Sequence, residues 1–256
     1  MITVISPAKS LDYDTPINTA EYSQPAELTR SRKLIKRLRE FSSSDIAKLM
    51  HVSDNIAELN HQRYQQWKTP FKLENARQAI YAFKGDVYLG FDAYSMSEQN
   101  AAFAQDNLRI LSGLYGVLRP LDLMQPYRLE MGTRLGTDAG NNLYQFWDDR
   151  ITESLNRDLK SSGGNALINL ASNEYFKSIQ PKKLKAEVVT PVFKDYRKGQ
   201  YRFIQFFAKR ARGTMARFIV DEQITNPGDI KHFDRDGYRY NAKLSGERDW
   251  VFTRRQ

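Results

Sequence analysis

Hydrophobic and polar positions change their period several times along the chain, and each change marks a different predicted element. Residues 1–5 are a short apolar run that predicts a buried strand, which must end at Pro7 because proline cannot continue a central ladder. In residues 26–41, Leu34, Ile35 and Leu38 recur at helical spacing between basic residues, which predicts a helix. The remaining patterns predict strands at residues 86–91, 108–111, 166–170, 187–193 and 201–207, and helices at residues 45–50, 54–67, 75–84, 95–107, 143–160 and 208–224.

Turn-forming residues indicate how these elements are joined. The strands of residues 187–193 and 201–207 form a predicted hairpin that turns near Lys198-Gly199, and residues 112–120 read as a packed loop rich in glycine and large apolar side chains. Ser172 or Asn173 caps a short helix after the strand of residues 166–170. The last thirty residues are expected to be peripheral, with a turn, a small strand pair and a frayed end. Because strands and helices alternate without a regular βαβ period or a linker, we predict one α+β or irregular α/β domain over residues 1–256.

Composition narrows the possible classes of protein. The 256 residues are 41% hydrophobic and 12% aromatic, which is enough for a core, and the absence of cysteine excludes disulfides and thiolate chemistry. His51, His61 and His232 have no metal-ligand spacing, so no metal and no cofactor are expected. No apolar run approaches the roughly 20 residues that a bilayer requires, and the start lacks a secretory pattern. We therefore expect a cytoplasmic protein without a membrane partner.

The charge balance points to an anionic partner. The chain carries 39 basic and 30 acidic residues, a net charge of +9, which favours nucleic acid, a membrane surface or phosphorylated small molecules. Residues 177–217 contain twelve of the basic and two of the acidic residues, interleaved with aromatic side chains. A phosphate-tracking surface would have this composition, although the rings could equally belong to the core. The nucleic-acid contacts predicted here are Lys177, Lys182, Lys183, Lys185, Lys209, Arg210 and Arg212.

Residues 45–60 have the outline of a helix-hairpin-helix, with two short amphipathic helices around a tight break. In such an element, backbone N–H groups of the hairpin and of the second helix point at a phosphate without reading sequence. The usual hairpin glycines are replaced by His51 and Ser53, and an ordinary corner between two core helices fits the pattern too. The predicted contacts are Lys48, His51, Val52, Ser53 and Asn55.

Two further groups of residues are candidates for a site. Lys9 follows the first strand and could bind phosphate or, if desolvated, act as an amine nucleophile with Asp12 as its partner. Arg109, Arg119, Arg128 and Arg134 lie in a glycine-punctuated block and could line a cleft, while Arg119 and Asp122 could instead form a salt bridge within a turn.

Several segments together resemble the YaaA peroxide-stress resistance family. They are residues 1–13 with Ser6-Pro7-Ala8-Lys9 and Leu11-Asp12-Tyr13, and residues 74–80, 82–87, 111–132, 144–147, 168–172, 174–177 and 181–184. The resemblance extends to about residue 225. It implies an unusual α/β fold with a positively charged cleft and a helix-hairpin-helix element, binding of duplex and branched DNA without strong sequence preference, and limitation of iron-dependent oxidative damage.

The leading hypothesis is therefore a non-sequence-specific DNA-binding protein of the peroxide stress response. The alternative is an enzyme that acts on a nucleotide or nucleic acid in the same basic cleft, with Lys9 and Asp12 as its catalytic residues. A Lys9 buried near Asp12 and several arginines would favour the enzyme. A membrane-surface protein is a third interpretation, which the absence of a strongly amphipathic anchor disfavours.

Overall fold

Strand β1 lies in the interior of a mixed eight-stranded sheet in the computed structural model, which describes residues 1–255. The strands are β1 (Ile2–Ile5), β2 (Ser10–Leu11), β3 (Arg77–Gln78), β4 (Phe83–Lys84), β5 (Leu108–Ser112), β6 (Gly116–Leu118), β7 (Leu123–Met124), β8 (Ala166–Leu170), β9 (Glu187–Arg197), β10 (Gln200–Arg202), β11 (Arg239–Tyr240) and β12 (Asp249–Arg254). All four residues of β1 are buried, as expected for an interior strand of a sheet covered on both faces.

The sheet has a parallel centre and antiparallel edges. Its strand order is β11-β12-β9-β8-β1-β5-β6, and β10 pairs with β9. Each central strand is parallel to the next in the series β5, β1, β8, β9 and β12. The outer strands pair antiparallel: β6 with β5, β10 with β9, and β11 with β12. Two small antiparallel pairs, β2 with β4 and β3 with β7, lie outside this sheet. The structure is thus an α/β domain with a mixed sheet.

Helices cover the sheet and form a separate group near the amino terminus. They are α1 (Leu28–Leu38), α2 (Ser43–Met50), α3 (Asp54–Gln66), α4 (Ala79–Ala82), α5 (Asp86–Phe91), α6 (Glu98–Asn107), α7 (Leu143–Trp147), α8 (Arg150–Ser161), α9 (Asn173–Phe176) and α10 (Gln205–Asp221). Short 3-10 helices cover Ala93–Ser95, Pro227–His232, Arg235–Gly237 and Ala242–Leu244. Helix α10 packs on β1, β8 and β9, and α2 packs on α3. Within residues 1–255, no helix combines the length and the apolarity needed to span a membrane.

The contact between α5 and α10 is unusually close and depends on glycine. A Cβ atom added to Gly213 would collide with the backbone oxygen of Val87, and one added to Gly90 would collide with the backbone oxygen of Arg210. Two glycines facing each other therefore let the helix backbones approach. This contact fixes the position of α10 relative to the sheet.

Most predicted elements are confirmed, and several are wrong in type or extent. The strand predicted at residues 201–207 ends at Arg202, because α10 already begins at Gln205, and the loop predicted at residues 112–120 contains β6. Residues 75–84 form β3, α4 and β4 rather than one helix, and residues 86–91 form helix α5 rather than a strand. Residues 143–160 form two helices because Asp148 has a positive φ of 46°, which is incompatible with a continuous α-helix. The helix predicted from Ser95 is capped by Ser97, whose side chain accepts from Asn100 N–H.

The end of the chain is an integral part of the sheet. Strand β12 pairs with β9 over six residues and with β11 on its other side, and Val251, Phe252 and Thr253 are buried. The frayed end predicted for this region is therefore wrong for residues 249–254, because a parallel ladder holds them. Gln256, the last residue of the predicted domain, lies outside the described residues.

Candidate functional site

A cavity of about 600 Å³, which we name the strand-end cleft, opens where β1 and β8 end. It is lined by residues 6–10, 84–88, 127–130 and 172–175, by Leu170, and by Phe203, Gln205, Lys209 and Arg212 at the start of α10. Strand β1 lies between β5 and β8, so the chain leaves it towards one neighbour and later returns to the other. In open α/β sheets, ligands bind at this kind of switch point, outside the carboxyl ends of the strands.

Polar contacts join the two strand-end loops that form the floor of the cleft. Ser6 Oγ accepts a hydrogen bond from Ser172 N–H at 2.8 Å, and Tyr88 donates its hydroxyl to the carbonyl of Ser6 at 3.1 Å. Pro7 follows immediately and turns the chain away from the sheet. These hydrogen bonds hold the two loops together at the floor of the cleft.

Glu130 is the central acid of the cleft, and it organises two of the predicted basic residues. Its Oε1 lies 3.4 Å from Lys9 Nζ and 3.1 Å from both Nε and Nη2 of Arg128. Its Oε2 is buried and has no hydrogen-bond partner among the described residues. A buried carboxylate oxygen without a donor is unusual, because desolvation of such an atom costs free energy.

The predicted pairing of Lys9 with Asp12 is wrong. Asp12 accepts hydrogen bonds from the backbone and side chain of Thr15 and lies 3.6 Å from Lys84, and the hydrogen bonds from Thr15 lower its pKa to about 2. Lys9 pairs with Glu130 instead, and 68% of its side chain is exposed. The loop of residues 6–12 turns the two side chains towards different partners, so Lys9 is not the desolvated amine that the enzyme hypothesis requires.

Helix α10 brings two further predicted residues to the cleft. Lys209 and Arg212, three residues apart, project from one face, and Lys209 is exposed. Arg212 is partly buried, and this burial lowers the pKa of its guanidinium. Among residues 1–255 it has no hydrogen bond and no ion pair. Because burial of an unpaired guanidinium is costly, an anion that reached Arg212 would offset part of that cost.

Sequence reasoning missed several residues of the cleft. Lys84 and Asp86 fell within segments assigned to the wrong element types, and Glu130 and Glu174 were not singled out. With these, the lining contains five basic and three acidic side chains. A signal was nevertheless present, because five of the segments that carry the family resemblance contribute to this cleft, namely residues 1–13, 82–87, 111–132, 168–172 and 174–177.

The helix pair of residues 45–60 exists, but its hairpin offers few free donors. His51 has a left-handed conformation, and the N–H groups of both His51 and Val52 donate to the carbonyl of Ala47. The donors that remain free are at the start of α3, where Ser53 makes no side-chain cap. Lys48, His51, Ser53 and Asn55 are exposed and Val52 is half-buried. If this element contacts phosphate, it does so through α3 rather than through the hairpin.

Two of the predicted arginines have structural roles. Arg109 is 4% exposed and donates from Nε to Asp158 at 2.6 Å and from Nη1 to two backbone carbonyls, so it is excluded as a nucleic-acid contact. Arg119 forms a salt bridge with buried Asp122 within a turn, at 3.2 Å, as the alternative interpretation predicted. Both guanidiniums satisfy the polar groups of the fold around them.

The remaining predicted lysines lie away from the strand-end cleft. Lys183 pairs with Asp149 at 3.3 Å, and Lys183 and Lys185 line a different depression beside α8. Lys182 is exposed, and Lys177 lies 5.3 Å from the ring of Tyr144. Arg210 is exposed on α10 but does not line the cleft. Across the described chain, no group of three or more histidine, aspartate or glutamate side chains could hold a metal ion.

Comparison with known proteins gives a consistent assignment. The family model described as "Peroxide stress protein YaaA" matches residues 1–244. The chain is 56% identical over 256 residues to a UPF0246 protein of Aliivibrio fischeri, covering 100% of this chain and 99% of that one. It is 54% identical to a UPF0246 protein of Teredinibacter turnerae and 52% identical to one of Saccharophagus degradans, each over the full length of both chains.

Proposed function

Because the chain belongs to the peroxide stress protein YaaA family, we propose that it acts in the peroxide stress response as a cytoplasmic protein that binds duplex or branched DNA without sequence preference. Family membership supports the role in peroxide stress. The observation that carries the DNA-binding proposal is Arg212, a partly buried guanidinium with no partner among residues 1–255, in a cleft with more basic than acidic side chains.

The arrangement of charge supports binding to a backbone rather than to bases. Lys9, Lys84 and Lys209 are exposed on the lining of the strand-end cleft, where flexible ammonium groups can follow phosphates of any sequence. The net charge of +9 adds an attractive field around the whole molecule. Such contacts release counterions from DNA, so the affinity must depend strongly on salt.

A titration of fluorescent duplex DNA with the protein at several salt concentrations tests the proposal. We expect the logarithm of the binding constant to fall by roughly 0.9 for each phosphate neutralised, per tenfold increase in salt. Duplexes of unrelated sequence should give the same slope. Binding that does not respond to salt, or that one sequence dominates, would contradict the proposal.

A second candidate function has one specific observation in its favour. The cleft lies at the switch point of the parallel strands, and its 600 Å³ suit a small phosphorylated ligand as well as a stretch of DNA backbone. Nucleoside mono-, di- and triphosphates added to the same titration separate the two functions. Displacement of DNA by a nucleotide, or turnover of that nucleotide, would favour the enzyme.

Protection of DNA from iron-dependent damage is the part of the proposal that rests on the family resemblance. It predicts that plasmid DNA exposed to ferrous iron and hydrogen peroxide is nicked more slowly when the protein is present. The Arg212→Gln variant should protect less, in proportion to its weaker binding. Equal protection by both proteins would separate the peroxide role from DNA binding.

A further inference from the structure

A second cavity, of about 770 Å³, lies outside the strand-end cleft and shares none of its lining residues. It is bounded by the loop of residues 13–19, the end of α3, residues 73–78, and Gln125 with Pro126. We name it the Arg63–Arg77 pocket after the two guanidiniums in its wall. None of the residues predicted to bind nucleic acid lines it.

Arg77 is buried without a counter-ion. It is 9% exposed, and its Nη2 donates to the carbonyl of Thr15 and, at 2.9 Å, to the hydroxyl of Tyr94. Its Nε is buried and has no partner among the described residues. A buried guanidinium is normally held by a carboxylate, because neutral acceptors do not offset its charge.

Arg63 faces the same pocket in a similar state. Burial lowers the pKa of its guanidinium, and its one hydrogen bond in residues 1–255 is a long one of 3.4 Å to Asn60. Arg63, Arg77 and Tyr13 all line this pocket, and both guanidiniums counteract the rise that burial causes in the pKa of Tyr13. Two incompletely compensated positive charges therefore converge on one cavity.

The acids near the pocket do not neutralise these arginines. Asp14 and Glu74 line it but are exposed, and in the described chain neither has a carboxylate oxygen within 4 Å of a basic nitrogen. A phosphate monoester is nearly dianionic at neutral pH and matches a pair of guanidiniums in both charge and geometry. A DNA phosphodiester carries a single charge and matches the pair less well.

We propose that the Arg63–Arg77 pocket binds a small organic phosphate monoester. The phosphate lies between the two guanidiniums, and the organic part fills the rest of the cavity. The lining mixes polar side chains with apolar ones, among them Ile17, Leu73 and Pro126, which an organic group can contact. The volume of the pocket is in the range typical of small-molecule sites and far exceeds what a phosphate ion alone requires. This assignment does not depend on DNA binding.

Calorimetric titration with adenosine monophosphate, inorganic phosphate and adenosine tests the proposal. We expect the monophosphate to bind, phosphate to bind more weakly at the same site, and adenosine to bind at least roughly tenfold more weakly than its monophosphate, because a charge-assisted contact is lost. No binding of either phosphate compound at millimolar concentration would overturn the proposal. Equal binding of adenosine and its monophosphate would overturn it as well.

Matched variants locate the site. Arg63→Gln should weaken binding of the monophosphate roughly tenfold or more, whereas Arg212→Gln in the strand-end cleft should leave it unchanged. The reverse result would place the ligand in the cleft and overturn the assignment.

If Arg63→Gln does not fold, Leu73→Trp provides a second test, because Leu73 is 41% exposed and a larger ring would fill the apolar side. Leu73→Trp should exclude the monophosphate and retain inorganic phosphate, and retention of the monophosphate would count against the proposal.

Discussion

Single residues in the strand-end cleft differ in how far their charges are compensated. Glu130 shares one oxygen between Lys9 and Arg128 and leaves the other without a donor, while Arg212 has no partner in residues 1–255. Exposed lysines on the same lining are solvated and lose little when they are left alone. An anion that enters the cleft therefore gains the most binding free energy from Arg212, because folding has already removed water from this guanidinium.

Replacement of Arg212 by glutamine should lower the affinity for duplex DNA roughly tenfold or more, because a charge-assisted contact to a partly buried guanidinium is lost. Arg210→Gln is the matched control, since it removes the same charge from the same helix at an exposed position outside the cleft. Fluorescence anisotropy at fixed salt measures both. Equal losses in the two variants would show that Arg212 acts only through the net charge.

A second prediction at the scale of single residues concerns Asp12 and the dependence of the protein's stability on pH. Hydrogen bonds from Thr15 lower its pKa to about 2 in the folded protein, compared with 3.8 for an unperturbed aspartate. A depressed folded-state pKa stabilises the protein above the unfolded value, and this contribution is lost as the pH falls from about 4 to about 2. Wild type should therefore be more stable than Asp12→Asn near pH 6, and the difference in urea unfolding should shrink through that window. A difference that is constant with pH would contradict the assignment.

At the scale of elements, the sequence correctly predicts helices and strands whose type depends on local pattern. It fails where a contact with a distant segment determines the type of element. The interior strands β1, β5 and β8 are predictable because each is a short apolar run, and α2 and α3 because each has helical periodicity. Residues 86–91, Asp-Val-Tyr-Leu-Gly-Phe, have a strand-like composition, yet they form α5 because they pack on α10. That partner lies more than a hundred residues further along the chain.

The candidate site was predictable in the same partial way. Four of the predicted basic residues line the cleft: Lys9, Arg128, Lys209 and Arg212. They could be predicted because basic residues in loops and on a helix face are recognisable from the sequence. Glu130 was not, since nothing local distinguishes it from any other surface acid. Its importance arises because five separate segments of the chain converge on the cleft. Arg109 was assigned wrongly because the sequence does not show that Asp158 is its partner.

The close contact between α5 and α10 predicts whether Gly213→Ala stabilises or destabilises the protein. Helix propensity alone makes Gly213→Ala stabilising by about 1 kcal/mol, since alanine is the better helix former. The added Cβ would, however, collide with the backbone of Val87, and overpacking of this kind costs about 1–3 kcal/mol. We expect net destabilisation by urea unfolding. Gly246→Ala, with open space around the added atom, should change stability by no more than about 0.5 kcal/mol.

A substitution at Lys48 tests whether the helix pair of α2 and α3 contributes to DNA binding. If the free N–H groups of α3 approach phosphate, Lys48→Ala should weaken DNA binding equally for all sequences and reduce the salt slope by about 1. Lys33→Ala on α1 is the control, because both lysines are exposed and neither forms an ion pair within the described residues. A similar small effect of both substitutions would indicate that the pair is a structural corner.

At the scale of the whole molecule, net charge and local contacts make separable contributions. Each lysine-to-glutamate change lowers the charge by two, so the triple variant Lys182→Glu, Lys183→Glu, Lys185→Glu carries +3 instead of +9. These lysines lie outside the strand-end cleft, and their influence on it is screened over a Debye length of about 10 Å at 0.1 M salt. The variant should therefore lose affinity mainly at low salt. A loss that persists at high salt would reveal a direct contact beside α8.

The order in which the sheet is assembled has a consequence during synthesis on the ribosome. Thr3 of β1 pairs with Leu108 of β5, and Ile2 pairs with Leu167 of β8. At translation rates of roughly 5–20 residues per second, β1 waits about 5–20 s for its first neighbour, and still longer for its second. During that interval β1, in which three of the four residues are apolar, has both edges unpaired. The nascent chain is thus most exposed to chaperones and to aggregation at its amino terminus, well before the cleft that this strand supports can exist.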